Sequence, residues 1–218
     1  MAGWSPDGRW LLFWGPYAGN SIAADGVALN AIRAGGGSVV RVANATLLYE
    51  DFLTWCSRMR LVVSQGFDRY STSGKTLVAV TAPQWRASRL VRGRTLSWVT
   101  PACSPNGQSV AVAAGRNFDE PRFGLEHRSI WLVPASGGGA RQLTLTPTDP
   151  TDEDPIWTRD GRSLLFVRTR HSHGKLLLAG LNGGIIGPIA SLGPTGNYYG
   201  HYGWADQLDW YQPAARGK

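Results

Sequence analysis

Trp4-Ser5-Pro6-Asp7-Gly8-Arg9, followed at once by Trp10-Leu11-Leu12-Phe13, is the stretch on which the reading of this chain turns. Serine can bond the turn backbone, proline presets φ at the second turn position, aspartate tolerates the third, and glycine takes the positive-φ corner. The apolar run behind it is rich in β-formers and too short for a stable helix, so it predicts a strand. The block returns as Cys103-Ser104-Pro105-Asn106-Gly107-Gln108 before Val110-Ala111-Val112, and as Trp157-Thr158-Arg159-Asp160-Gly161-Arg162 before Leu164-Leu165-Phe166-Val167. Degraded copies are Trp55-Cys56-Ser57 ahead of Leu61-Val62-Val63, and Trp204-Ala205-Asp206 ahead of Leu208, Trp210 and Tyr211. The anchors at 4, 55, 103, 157 and 204 are 51, 48, 54 and 47 residues apart, which makes the block a structural repeat.

Each unit carries a further strand pattern, at Ala28 to Ile32, Thr76 to Val80, Ile130 to Val133 and Lys175 to Leu178. Three of these end at the glycine clusters beginning at Gly35, Gly137 and Gly183, and a short strand follows, such as Val39 to Val42, Arg141 to Thr144 or Ile185 to Ile189. With the strand leading into the Trp anchor, each unit holds four antiparallel strands. Units of that size and strand number are blades of a β-propeller. The expected fold is all-β, with blades at about 1–53, 54–101, 102–155 and 156–203 and a partial fifth at 204–213. Trp4, Trp55, Trp157 and Trp204, sharing one repeat position, are expected to share one environment.

Composition agrees. The 218 residues include 28 Gly and 13 Pro, a density of punctuation that argues against a helix bundle. With 43% hydrophobic and 17% charged residues the chain is too apolar to be a disordered tail. It holds no apolar run long enough for a membrane helix, and Met1 to Trp10 shows no signal-peptide pattern. The net charge of +7 comes from 22 Lys and Arg against 15 Asp and Glu. The densest cations, Arg86, Arg89, Arg92 and Arg94, lie between Trp85 and Trp98. Basic residues among aromatics can hold single strands of nucleic acid, but a solvated strand and loop is the simpler reading.

The repeat resembles that of the TolB-type propellers, most closely over 129–144 and 157–167, with Ile130-Trp131-Leu132-Val133-Pro134 and Ala140-Arg141-Gln142-Leu143-Thr144 as its signature. Tyr198-Tyr199-Gly200-His201-Tyr202-Gly203-Trp204 looks like the closing blade of such a protein. The resemblance implies a bacterial, WD-like scaffold whose relatives are often exported to the cell envelope. It also implies a ring of about six blades, of which this chain would supply a C-terminal part. An unclosed ring leaves sheet edges and apolar blade faces bare, which invites self-association.

Motifs that could carry chemistry mostly dissolve into the repeat. Ser21 and Ser109 sit in Gly-x-Ser-x-Ala, but Ser109 aligns with Ser163 at a turn-to-strand step, where architecture explains it. Gly74-Lys75-Thr76 lacks the preceding glycine and the following helix of a phosphate loop. His171 and His173 are two imidazoles on one extended segment, too few for a zinc site. Cys56 and Cys103 occupy adjacent repeat positions, and a bond between blades is not expected across the distance anticipated. No cofactor, metal or catalytic residue is assigned.

What breaks the repeat is the chemistry just before each anchor, in the loops expected to lead into the innermost strands. Those positions read Glu50 and Asp51, then Trp98, then Asp152, Glu153 and Asp154, then Tyr199 and His201. In a symmetric fold, departures from symmetry are where function can be written. The expectation is an acidic, aromatic-rimmed channel mouth, gathered on one face and suited to a cation, an amine or a basic peptide. The reading is a non-catalytic propeller that binds a protein or peptide, with nucleic acid disfavoured. The alternatives are a propeller that gates a prolyl oligopeptidase-type peptidase, or a metal-dependent propeller hydrolase or lactonase.

Overall fold

In the computed structural model, residues 2–16, 26–117, 127–145, 150–194 and 196–208 are described. They form four four-stranded antiparallel sheets, each with its strands in chain order from one edge to the other. Blade 1 comprises β1 (Gly3–Trp4), β2 (Trp10–Trp14), β3 (Val27–Arg33) and β4 (Val40–Thr46). Blade 2 comprises β5 (Leu53–Trp55), β6 (Arg60–Gln65), β7 (Thr76–Thr81) and β8 (Arg86–Arg89). Blade 3 comprises β9 (Leu96–Cys103), β10 (Ser109–Arg116), β11 (Arg128–Pro134) and β12 (Arg141–Gln142). Blade 4 comprises β13 (Thr151–Trp157), β14 (Ser163–Arg170), β15 (His173–Gly180) and β16 (Ile185–Pro194). A small hairpin follows, β17 (Asn197–Tyr198) with β18 (His201–Tyr202).

The repeated turn joins the first two strands of blades 1, 3 and 4 with one geometry. The N–H groups of Gly8, Gly107 and Gly161 donate to the carbonyls of Ser5, Ser104 and Thr158, each at 2.8 Å. The same three hydroxyls accept from the N–H groups of Trp10, Ser109 and Ser163, each at 3.0 Å. The glycines take φ of 68°, 71° and 67°. Thus Trp4, Trp55, Cys103 and Trp157 each close the first strand of their own sheet, and the sheet boundary falls before that strand.

Blade stacking explains why the strand runs are continuously apolar. Leu61 and Val63 face Leu12, Leu29 and Ala31 of blade 1, while Val62 faces Val110 and Val112 of blade 3. Leu164 and Phe166 likewise face Ala111, Ala113 and Ile130, while Leu165 and Val167 point to the other side of blade 4. A strand buried on both faces has no polar side to alternate with.

That last face is not bare. Tyr202 and Trp204 lie against Leu165, Val167 and Leu176, and the Trp204 indole donates to the Thr169 hydroxyl at 3.0 Å. Trp204 is therefore not equivalent to the other anchors. The anchor tryptophans do not share one environment: Trp4 is 53% exposed, Trp157 7% and Trp204 0%, and Trp204 stands at the head of a 3-10 turn (Ala205–Gln207). The part of the expected fifth blade beyond 208 lies outside the described residues. Gly174 makes room for this cap, since a Cβ there would stand 2.8 Å from the Trp204 ring and 3.0 Å from Val167. Gly174→Ala is expected to cost roughly 1–3 kcal/mol by overpacking, read in urea unfolding.

Candidate functional site

Four of the carboxylate and imidazole positions singled out in the sequence converge where the first strands of blades 2 and 4 begin. Asp51 belongs to the 3-10 turn Glu50–Phe52 before β5, and Glu153 and Asp154 belong to β13. His201 arrives from β18, its Nε2 3.3 Å from Asp51 Oδ2 and its ring 4.1 Å from Tyr49 and edge-on to Phe52 at 5.3 Å. Arg128, from β11, pairs with Glu153 and donates to the Ser71 hydroxyl at 2.7 Å. The Ser71 N–H in turn donates to the Tyr199 carbonyl at 2.9 Å. The hairpin after blade 4 thus reaches back to loops that flank blade 2.

Strand geometry sorts the acidic triplet, which lies in β13 rather than in a loop. Asp152 and Glu153 alternate sides, so Asp152 takes the Arg168 guanidinium through two bonds of 2.7 and 2.9 Å. A bulge between Glu153 and Ile156, with Asp154 at φ +49°, re-aims the third carboxyl toward Asp51. Thr100, at the equivalent place in β9, has φ +47°, and its hydroxyl accepts the Asp154 N–H at 3.4 Å. The bulge is thus a repeated feature, and blade 4 places a carboxyl on it.

The expected open acidic mouth is corrected here. Asp152, Glu153, Asp154 and His201 are buried, because Arg168, Arg128 and the hairpin cover or compensate them. Glu50 is exposed at the start of its turn, and Tyr199, half-buried, packs edge-on to Tyr70 at 5.2 Å. Trp98 does not belong to the cluster: it lies within β9, in the core between blades 2 and 3, edge-on to Trp131 at 5.7 Å. Arg128, Ser71, Tyr49 and Phe52 complete the cluster, and nothing local in the sequence marks them. The one available signal was that three successive acids in a strand require counter-charges.

Burial sets the protonation of this cluster. It lowers the His201 pKa to about 3, helped by the Arg128 charge, so the imidazole is neutral at pH 7. Burial, then the charges of Asp51 and Glu153, hold Asp154 well above the carboxylate range. As a carboxylate Asp154 would have no donor to either oxygen, whereas as an acid it bonds to Asp51. Glu153 is raised by burial against the opposing pull of Arg128.

The signs for stability differ. An unfolded histidine takes up a proton near 6.5 that folded His201 refuses down to about 3, so acidification through that window costs up to about 1.4 kcal/mol per pH unit. Asp154 contributes stability that is complete below an unfolded carboxyl's pKa and is lost as pH rises through its own raised value. Asp154→Asn, which offers Asp51 an N–H donor without having to take up a proton, is expected to stabilise the protein at pH 8. The gain should shrink toward pH 4. Urea unfolding at the two pH values checks it, and destabilisation at both would remove the shared proton.

The cysteine expectation is overturned. Cys56 and Cys103 form a disulfide with a Cα–Cα distance of 5.1 Å. Cys56 directly follows β5 and Cys103 ends β9, and those strands converge, so residues 47 apart in sequence become neighbours. Lys75 is buried with its ammonium on the carbonyls of Asp68, Tyr70 and Ser73 at 2.5 to 2.9 Å, which fixes the loop that carries Ser71. Ser109 sits in the repeated turn, and Ser21 lies outside the described residues. His173 Nδ1 is 3.0 Å from the His171 carbonyl in the turn between β14 and β15. Among the described residues, no group of three or more His, Cys, Asp or Glu is arranged to hold a metal.

No family model and no curated protein matches the chain. Solved structures do. A TolB protein from Agrobacterium tumefaciens superposes with a TM-score of 0.58 at 17% identity, over 89% of this chain and 66% of that one. TolB from Acinetobacter baumannii gives 0.54 at 12% identity, over 85% and 42%. A prolyl endopeptidase gives 0.59 at 11% identity, over 88% and 28%. The fold is a partial β-propeller. At these identities the likeness speaks for the fold alone, and the chain spans less than two thirds of any of the three. No helix among the described residues is long and apolar enough to cross a membrane. The two ends of the propeller's first strands differ. The hairpin lies against the turn that starts β5, while the ends of β5, β9 and β13 border a cleft of about 510 Å³ lined by Thr54, Cys103, Pro105, Pro155, Trp157 and Arg159.

Proposed function

We propose that this propeller is a non-catalytic scaffold that binds a protein or peptide segment where the first strands begin. One observation carries the reading: that surface already holds a polypeptide, the chain's own hairpin. His201 is set on Asp51, Tyr49 and Phe52, and Tyr199 takes a backbone hydrogen bond from Ser71. The occupant presents backbone acceptors, an imidazole and aromatic rings, and these define the chemistry expected of a partner segment. Glu50 and Tyr198, both exposed, form the rim. Self-association is the second part of the reading, through the side of blade 1 away from blade 2, beside exposed Trp4 and Val39. The superposition on a prolyl endopeptidase supports the rival reading of a propeller that gates a peptidase.

The test uses the full chain and a labelled peptide with the sequence of residues 197–204. His201→Ala should loosen the hairpin and let the peptide bind at least tenfold more tightly than it binds wild type. Adding Asp51→Ala to that variant should abolish the gain. Equal, unsaturable binding to all three proteins would overturn the reading.

A further inference from the structure

The basic stretch of the sequence finds no role in the cluster just described. From Arg69 to Asn117 the chain contains seven Lys and Arg residues and no Asp or Glu. This stretch builds the flank between blades 2 and 3. Lys75 is spent on three backbone carbonyls. Arg89 and Arg94 are not: both are exposed, and among the described residues neither has a carboxylate in ion-pair range.

These two arginines line one cavity of about 380 Å³, together with Ser73, Thr76, Gly93 and Asn117. Its walls are tied to each other by one side chain. Asn117 Oδ1 accepts the Gly74 N–H at 2.7 Å, its Nδ2 donates to the Arg94 carbonyl at 2.8 Å, and its own N–H donates to the Thr95 carbonyl at 2.9 Å. Gly74 and Gly93 turn the corners at φ +64° and +80°, conformations that favour glycine. The result is a concave site whose backbone frame is tied before anything binds, lined by Arg89, Arg94 and Ser73 and by no acid. Guanidinium forks match tetrahedral oxyanions, and fixed donors lose little on binding.

We infer that this cavity is a binding site for a phosphate monoester, held by Arg89 and Arg94 and shaped by Asn117. Its volume lies within the range of small-ligand pockets and exceeds the needs of a bare phosphate, so the ester's organic part has room beside Gly93 and Thr76. No hairpin residue lines the site, although Ser73 and Gly74 continue the loop whose Ser71 bonds Tyr199.

Calorimetric titration of the full chain at fixed ionic strength tests the assignment, with inorganic phosphate, glycerol 3-phosphate and phosphatidate vesicles as the three probes. The expected result is saturable single-site binding of phosphate, with glycerol 3-phosphate tighter. Binding should fall at least tenfold in the double variant Arg89→Gln/Arg94→Gln and be unchanged in Arg58→Gln, which removes an exposed charge elsewhere. Saturation by vesicles together with glycerol 3-phosphate identifies a lipid headgroup as the source, and saturation by the soluble ester alone identifies a free metabolite. Asn117→Ala should weaken binding while both arginines remain. If that variant unfolds, the arginine pair decides alone, since both side chains are exposed and their replacement leaves the fold intact. Heat that never saturates, or an equal loss in Arg58→Gln, would overturn the proposal.

Discussion

Replacing Cys56 and Cys103 with serine is expected to lower the free energy of unfolding by about 4 kcal/mol, the loop-closure value for a cross-link spanning 47 residues. A single domain is commonly stable by only about 5–15 kcal/mol, so a loss of this size would bring the chain close to its unfolding threshold. The bond joins Cys56, directly after β5, to the end of β9, and so locks blade 2 to blade 3 beside the core that they share. The measurement is urea unfolding of wild type with and without reductant, beside the double serine variant. Reduced wild type and the variant should share one midpoint well below that of the oxidised protein. A shift under about 1 kcal/mol would show that blade stacking alone fixes this geometry. A disulfide here also ties full stability to an oxidising environment.

Arg128→Met is the second large effect. Arg128 is 1% exposed and meets Glu153, also 1% exposed, so truncating it leaves a buried carboxyl without its counter-charge. Breaking such a pair from one side costs roughly 3–5 kcal/mol. It also frees the Ser71 hydroxyl and removes a neighbour of Gly200, loosening the hairpin. Glu153→Gln in the same chain should recover much of the loss, because the uncompensated charge is gone. Both variants are compared with wild type and with Glu153→Gln alone, which closes a double-mutant cycle. A single-variant cost below about 1 kcal/mol would mean that Arg128 is solvated and the cluster is open.

How much was legible follows from which interactions are local. The turns at 5–8, 104–107 and 158–161 are made by the residues that name them, so the repeat and the blades could be read directly. The two-sided burial of each blade was legible too, in runs such as Leu61-Val62-Val63 that do not alternate. Asp51, Asp154 and His201 stood out because they break the repeat, and they do meet. Their burial was not legible. It depends on Arg128, 25 residues before Glu153 and on a different blade, and on a hairpin that returns from the far end of the arc. Trp204 misled because a Trp after Gly looks the same whether it ends a strand or caps a blade face. The cysteines occupied adjacent repeat positions, which in a stacked arc makes them neighbours, and only the assumed distance between blades hid the bond.

The chain's own hairpin is seated on the surface where β5 begins. Hydrogen exchange of the native protein, resolved to residues 68–75 and 197–204, tests it most directly. The Ser71 N–H is bonded to the Tyr199 carbonyl, the Trp204 N–H to the Tyr202 carbonyl, and Tyr198 is paired with His201. Amides of 197–204 and of Ser71 should be protected to a similar degree as those of β13 and β14, and His201→Ala should release both segments together. Exchange of 197–204 at the rate of an unstructured peptide, with β13 and β14 still protected, would contradict it.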